Sequence, residues 1–412
     1  MLARKILVLD ASFSYEAIVK RGLKSSITCR DLDGFFEHVW SVHPFASLVT
    51  SPEWAPKFGL PEIYSVAESH TFVEGKVGRS ILLKNFAPLN FLLAQFTLLK
   101  FLLRLIRKEH INVIRVGDPL YLGLLGYFLS RLTKIPFVVR VGANNEKIRA
   151  TTGKGMMPRF FKSMYLERVV ERFVFSKANL VAGANKDNLQ FAISTGVNPD
   201  KCTLFRYGNL IDEVHYLEPS RRPIPTDDFI DCKFLLCIAR LELVKKVDDV
   251  IRVLADVRNN GFNIKAILVG DGREREGLER LACQLGVYKH VIFCGNRDQR
   301  WLSYIIPHAA VVISPHTGRA LTEAALGGVP IAAYDVDWQA ELIELGVTGE
   351  IVPFGDWRAL STSTIKLLRN QTYAEDMAKN LRKKVLEMMN PVKLNEHERQ
   401  QYLRLIDNKF PI

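Results

Sequence analysis

At 412 residues the chain is too long for one ordinary hydrophobic core, so two domains of about 200 residues each are expected. A composition of 48% hydrophobic and 24% charged residues excludes a disordered or fibrous chain. The formal charge of +12 resides mainly in the first half: residues 1–220 carry 29 Lys and Arg against 19 Asp and Glu, the remainder 27 against 25.

The opening run to Asp10 reads as a first strand rather than a signal peptide, because it is short and closes on an acid; a cytoplasmic protein is expected. Further strands are predicted at 112–116, 137–141, 180–182 and 203–206, with helices at about 119–132, 158–175 and 185–194. Residues 86–106 are apolar enough to raise the question of a membrane span, but Pro88, Asn90, Gln95, Lys100 and Arg104 argue against one. A helix packed in the N-terminal core is the preferred reading, and a basic amphipathic helix on a membrane surface the alternative. Residues 101–186 hold 16 cations against five acids, a surface suited to nucleic acid, anionic lipid head groups or a phosphorylated acceptor, or else a plain solvated face. The six cysteines show no Cys-x-x-Cys pair and no His at zinc-ligand spacing, so neither a disulfide framework nor a metal site is expected.

Residues 217–228, with three prolines, read as a linker. Beyond them, strands at 234–239, 264–269, 290–294, 310–314 and 330–334 alternate with helices at about 247–258, 273–285, 298–306 and 320–326. Successive β-α-β units predict a parallel sheet, and hence an α/β chain of two Rossmann-like, doubly wound domains. The expected division is 1–216, 217–395 and a polar helical tail at 396–412. Ligands of such sheets bind outside the carboxyl ends of the strands, so two such domains facing each other would enclose a cleft at the linker.

Two strand ends carry the chemistry. The strand at 234–239 delivers Arg240, with Lys245 five residues on, so two cations share one mouth of the sheet. The strand at 311–314 leads into Pro315, His316, Thr317, Gly318 and Arg319, then a helix opening near Ala320 with Glu323 in its first turn. A helix N-terminus preceded by glycine is an anion site, and with two cations it suits a diphosphate.

Arg240-Leu-Glu-Leu-Val-Lys245, Val269-Gly-Asp-Gly272, Phe293-Cys-Gly295 and Leu321-Thr-Glu-Ala-Ala-Leu-Gly-Gly-Val-Pro330, in this order, resemble the retaining glycosyltransferases of the GT-B fold (family 4-like, glycosyl transferases group 1). The resemblance implies a nucleotide-sugar donor in the C-terminal domain, a glycan or lipid-linked acceptor on the N-terminal one, and no metal or other cofactor. Arg240 and Lys245 match the family's diphosphate-binding pair, and Glu323 matches the acid that accepts the ribose hydroxyls. Gly318 matches the glycine beside the phosphates and sugar, while Gly270, Gly272 and Gly295 match glycines that shape the loops around the base. His316, Thr317, Arg319, Ala320 and Leu321 complete the donor loop. On the acceptor side the resemblance points to Gly142, Asn144 and Asn145. The chain departs from the pattern where Pro315 replaces the first acid of Glu-x7-Glu, and where Gly142 replaces a sugar-contacting His.

A transferase peripheral on the inner face of the plasma membrane is the leading expectation. A binding protein of the same fold with lost catalysis, and a sugar-nucleotide epimerase, are the alternatives. No nucleic-acid motif accompanies the basic block.

Overall fold

The computed structural model describes residues 4–20, 22–46, 57–222 and 232–407, which form two compact units, Met1–Arg206 with Pro391–Ile412, and Tyr207–Asn390. Unit 1 contains strands β1 (Lys5–Leu9), β2 (His38–His43), β3 (Glu62–Ala67), β4 (His70–Glu74), β5 (Val113–Val116), β6 (Phe137–Val141), β7 (Leu180–Gly183) and β8 (Cys202–Leu204). They form one sheet in the order β3-β4-β2-β1-β5-β6-β7-β8, parallel except for the antiparallel β3–β4 edge. Its helices are α1 (Tyr15–Lys20), α2 (Ser25–Thr28), α3 (Ala87–Glu109), α4 (Tyr121–Thr133), α5 (Asn145–Thr152), α6 (Met164–Lys177) and α7 (Lys186–Ser194). Close packing is written into the sequence at Gly123 and Gly126 of α4, where a Cβ would come within 2.6 Å of Val174 and 2.4 Å of Val116 respectively.

Unit 2 contains β9 (Phe234–Ile238), β10 (Lys265–Val269), β11 (Val291–Gly295), β12 (Val311–Ser314), β13 (Ile331–Asp335) and β14 (Glu350–Pro353). All are parallel, in the order β11-β10-β9-β12-β13-β14. Its helices are α8 (Val247–Asn259), α9 (Arg275–Gln284), α10 (Gln299–Ile305), α11 (Arg319–Leu326), α12 (Gln339–Leu342), α13 (Trp357–Arg369) and α14 (Gln371–Met388). Two cores cover the two faces of the sheet: Leu235, Val250, Leu254 and Leu268 pack in one, and Leu236, Ile267, Leu326 and Leu381 in the other. Burial on both faces is what the continuous apolar runs of β9, β10 and β12 require.

The final helix, α15 (Pro391–Asp407), returns to unit 1. The expected tail helix thus opens at Pro391 rather than near 396, and it groups with unit 1. Its buried positions, Asn395, Glu398, Tyr402 and Leu405, lie on one helical face but are mostly polar, so they give no hydrophobic period. Tyr402 packs on Phe36 and Phe205, Glu398 accepts from Arg115 at 3.0 Å, and Arg399 donates to the Leu32 carbonyl. The first crossing falls between Arg206 and Tyr207, ten residues before the expected one, and the expected linker lies outside the described residues from 223 onward. The short polar strands β2, β3 and β4 were not foreseen. The helix foreseen at 86–106 is α3, and it is a core helix along one face only.

Candidate functional site

Numbered within unit 2 alone, the strand order is 3-2-1-4-5-6, so the winding reverses between β9 and β12, the crevice where sheets of this kind take their ligands. Both sequence motifs leave from these two strands. Arg240 is exposed just past β9, and Lys245 is half-buried at the end of the short turn Leu243–Lys245. From the β12 side, His316 Nδ1 meets the Val244 carbonyl at 3.3 Å, and its Nε2 lies 3.9 Å from Asp337 Oδ2. A carbonyl only accepts, so Nδ1 carries a proton, and burial, which lowers the ring's proton affinity, favours the neutral form whose Nε2 would accept.

The electrostatics mark an uncompensated positive site. Burial, then the charge of Arg240, pulls the Lys245 ammonium below its ordinary value, while Asp337 opposes them. Burial and Lys245 likewise lower the His316 imidazole. Neither Arg240 nor Lys245 makes an ion pair or side-chain hydrogen bond with a described residue. A half-buried cation without a partner is unfavourable, and a bound anion would remove the penalty.

Glycines hold the loop that carries Arg240. Gly270 has φ +134°, and a Cβ there would stand 1.9 Å from the Ala239 carbonyl oxygen; at Gly272 it would stand 2.2 Å from that of Leu241. Without side chains, the backbones close up: Ala239 N–H donates to Val269, Leu241 N–H to Asp271, and Gly270 N–H to Gly295, at 2.8–3.1 Å. Gly270, Gly272 and Gly295 thus fix the β9 and β10 strand-end loops, a positioning role.

The second loop is braced from within. Gly318, at φ +66° and ψ −127°, caps α11 without a side chain, leaving the helix mouth open. Gln339, on α12, donates to the Ser314 carbonyl at 3.0 Å and the Tyr334 carbonyl at 2.7 Å and accepts from Ser314 Oγ, which also meets Thr317 Oγ1. Glu323 is buried, with Arg319 Nε 3.4 Å from its carboxylate; burial raises its proton affinity and Arg319 opposes this. Arg319 also donates to the Leu210 carbonyl at 3.2 Å, so it is held along α11. The Leu321 side chain is in the core, and only its backbone is left to meet a ligand; Ala320 is half-buried.

The structure therefore brings Arg240, Lys245, His316, Thr317 and Gly318 to one edge of unit 2. Gln339 and Asp337 were missed. Asp337 follows the predicted strand at 330–334 and could have been found there; nothing local in the sequence marks Gln339.

In unit 1, Gly142 is exposed at the carboxyl end of β6, but the two asparagines are engaged inside the unit. Asn144 caps α5, accepting from Lys147 N–H at 3.2 Å and donating to Asp187 at 3.1 Å. Asn145 is buried and donates to Glu171 at 2.6 Å, within a network in which Arg149 meets Glu167 and Glu171. Asn145, expected on the acceptor side, is thus buried with its amide committed to a carboxylate of the same unit. At unit 1's own reversal point, between β1 and β5, burial pushes Asp118 up to about 7 against the pull of the Leu120 and Leu122 N–H groups.

Residues 228–384 match the family described as glycosyl transferases group 1. N-acetyl-alpha-D-glucosaminyl L-malate synthase of Bacillus anthracis is 28% identical over 218 residues, 52% of this chain and 57% of that protein. The match thus spans little more than half of that relative's length. Among solved structures, Anabaena HepE in complex with UDP and glucose superposes with a TM-score of 0.69 at 17% identity, over 97% of this chain and 99% of that one. Sucrose-phosphate synthase from Thermosynechococcus elongatus gives 0.73 at 16%, over 98% and 99%. The chain has the GT-B fold, two Rossmann-like units, and its residues 228–384 are similar to the glycosyl transferases group 1 family.

Proposed function

We propose that the protein is a glycosyltransferase that moves a sugar from a nucleoside-diphosphate sugar to a hydroxyl of a glycan or lipid-linked acceptor, with retention and without a metal. The observation that carries this reading is the meeting of Arg240, Lys245 and His316 at the reversal point of unit 2, beside the open N-terminus of α11. The family match over residues 228–384 and the fold shared with a UDP-bound structure support it.

In this mechanism Arg240 and Lys245 hold the diphosphate and neutralise the charge that develops on it as the bond from sugar C1 to the phosphate oxygen breaks. The acceptor oxygen bonds to C1 on the same face, and its proton passes to the departing phosphate oxygen. The protein supplies orientation and charge stabilisation, with no nucleophile of its own. Glu323 takes the ribose hydroxyls, and neutral His316 accepts from a sugar hydroxyl. The protein works in the cytoplasm, peripheral to the inner face of the plasma membrane, and the cations of residues 101–186 draw unit 1 to anionic lipid.

Pro315, standing where the family has an acid, favours one second reading, a nucleotide-sugar-binding protein without transfer. Incubation with a panel of uridine and guanosine diphosphate sugars separates the two: release of free nucleoside diphosphate supports the enzyme, and tight binding without release supports the alternative. Calorimetry on His316→Ala tests the sugar contact. Affinity for the nucleotide sugar should fall by about 1 kcal/mol, one neutral hydrogen bond, while that for the bare diphosphate stays unchanged; equal changes would remove His316 from sugar recognition.

A further inference from the structure

We propose that α3 seats unit 1 on an anionic bilayer, its apolar N-terminal half entering the boundary between head groups and acyl chains while its cationic C-terminal half lies at the lipid phosphates. This rests on the reading that the cations of unit 1 meet an anionic membrane, and it names the side chains that enter the lipid.

At 23 residues α3 is long and apolar enough to cross a membrane by length and composition. One of its faces, however, is already committed to the fold. Ala94, Leu98, Leu102, Leu105 and Ile106 are buried, the last four within the core of unit 1. The Asn90 side chain accepts from the N–H groups of Arg79 and Ser80 at 2.6 and 3.0 Å, and Glu109 meets Lys5 at 3.0 Å. A helix tied down on this face cannot cross a membrane and can only meet its surface, offering the other.

That other face is unusual for a surface helix. Leu89, Leu93 and Phe96, spaced four and three residues apart, are 53%, 39% and 54% exposed, with Leu92 beside them 63% exposed, and Leu82 and Phe86 just ahead of them are 87% and 64% exposed. The same stripe then changes character: Lys100, Arg104 and Arg107 follow at the same spacing, all exposed. Lys100 Nζ sits 4.3 Å above the Phe96 ring, at the junction of the two halves. The only acid on the helix is Glu109, held by Lys5.

The axial order selects the occupant. A bilayer offers an apolar layer and an anionic layer side by side, which matches a helix face that is apolar at one end and cationic at the other. Large exposed apolar side chains in one contiguous patch mark an interaction surface rather than ordinary solvent contact. The charge complement of this patch is an anionic surface of lipid head groups.

Sedimentation of the full chain with vesicles tests the proposal, comparing pure phosphatidylcholine with a mixture rich in phosphatidylglycerol, for the wild type and for Leu92→Asp combined with Phe96→Asp. Both side chains are exposed, so the double variant should keep the wild-type melting temperature. The wild type should bind the anionic vesicles, and the double variant should bind them about tenfold more weakly or worse, two apolar contacts having been replaced by charges. In Leu92→Trp, tryptophan emission should shift to the blue on binding and be quenched by lipids brominated along the acyl chain. Equal binding by wild type and double variant, without quenching, would overturn insertion and leave a purely electrostatic contact. Absence of wild-type binding to anionic vesicles would overturn that contact as well. A wild-type dimer that the double variant breaks, with vesicles having no effect, would assign the face to a second copy of the chain and overturn the proposal.

Discussion

At the carboxyl edge of unit 2, Arg240 and Lys245 meet no carboxylate of a described residue, whereas in unit 1 the buried guanidiniums of Arg115 and Arg149 each have one at 3.0 Å, Glu398 and Glu167. Sequence alone makes unit 1 the basic half, yet there much of the positive charge is structural. Arg115 fastens α15 to β5, and Arg149 with Glu167 and Glu171 fastens α5 to α6. In the less basic unit the two cations have no ion-pair partner among the described residues, and burial with the charge of Arg240 pulls the Lys245 ammonium below its ordinary value. Pairing, rather than density of charge, separates a cation that builds the fold from the two that the proposed function reserves for a ligand.

The sharpest way to break this comparison is Arg149→Ala. It leaves two buried carboxylates without their cation and should cost about 3–5 kcal/mol in chemical denaturation. A loss of less than about 1 kcal/mol would remove the structural role given to the network.

Gly270→Ala should come next. Its Cβ cannot fit beside the Ala239 carbonyl at φ +134°, so the loop carrying Arg240 must move; a loss of about 2–3 kcal/mol in stability is expected, together with weakened binding of nucleoside diphosphate. A variant that is destabilised but binds normally would show that these glycines serve packing alone.

A smaller effect is expected from pH. Burial depresses His215 to about 4, with Gln299 bonded to Nε2 at 2.7 Å, while the unfolded chain takes up this proton near 6.5. The unfolded state therefore binds more protons between these values, and stability is full above about 6.5 and is lost as pH falls toward 4. Between pH 7 and pH 5 the wild type should lose about 2 kcal/mol more than His215→Gln, measured by denaturation at both pH values. Parallel losses would show that His215 is protonated in the native state.

Most of the strands that were legible in the sequence are buried on both faces. Strands β9 to β13 are continuous apolar runs, and their carboxyl ends could be found within a residue or two. Strands β2 to β4 mix His, Ser, Thr and Glu with apolar residues and offered no such run, and α15 buries a polar face whose partners, among them Phe205, Arg115 and Leu32, are far away in the sequence. The same distinction governs the site. Arg240, Lys245 and His316 could be placed because each follows a legible strand; Gln339 could not, since its role is a set of hydrogen bonds to a loop 24 to 25 positions earlier. The bond that buries Asn145 is hidden for the same reason: the carboxylate that accepts from it is 26 residues distant.

The central claim is that Arg240 and Lys245 are kept for a diphosphate. Calorimetric titration of uridine and guanosine diphosphates into the wild type, Arg240→Ala and Lys245→Ala, with denaturation of the same three proteins, tests it directly. Each variant should keep its stability within about 0.5 kcal/mol of the wild type, and lose about 1.5–3 kcal/mol of affinity for whichever diphosphate the wild type binds. Undiminished diphosphate affinity in both variants, or stability lost in step with affinity, would contradict it.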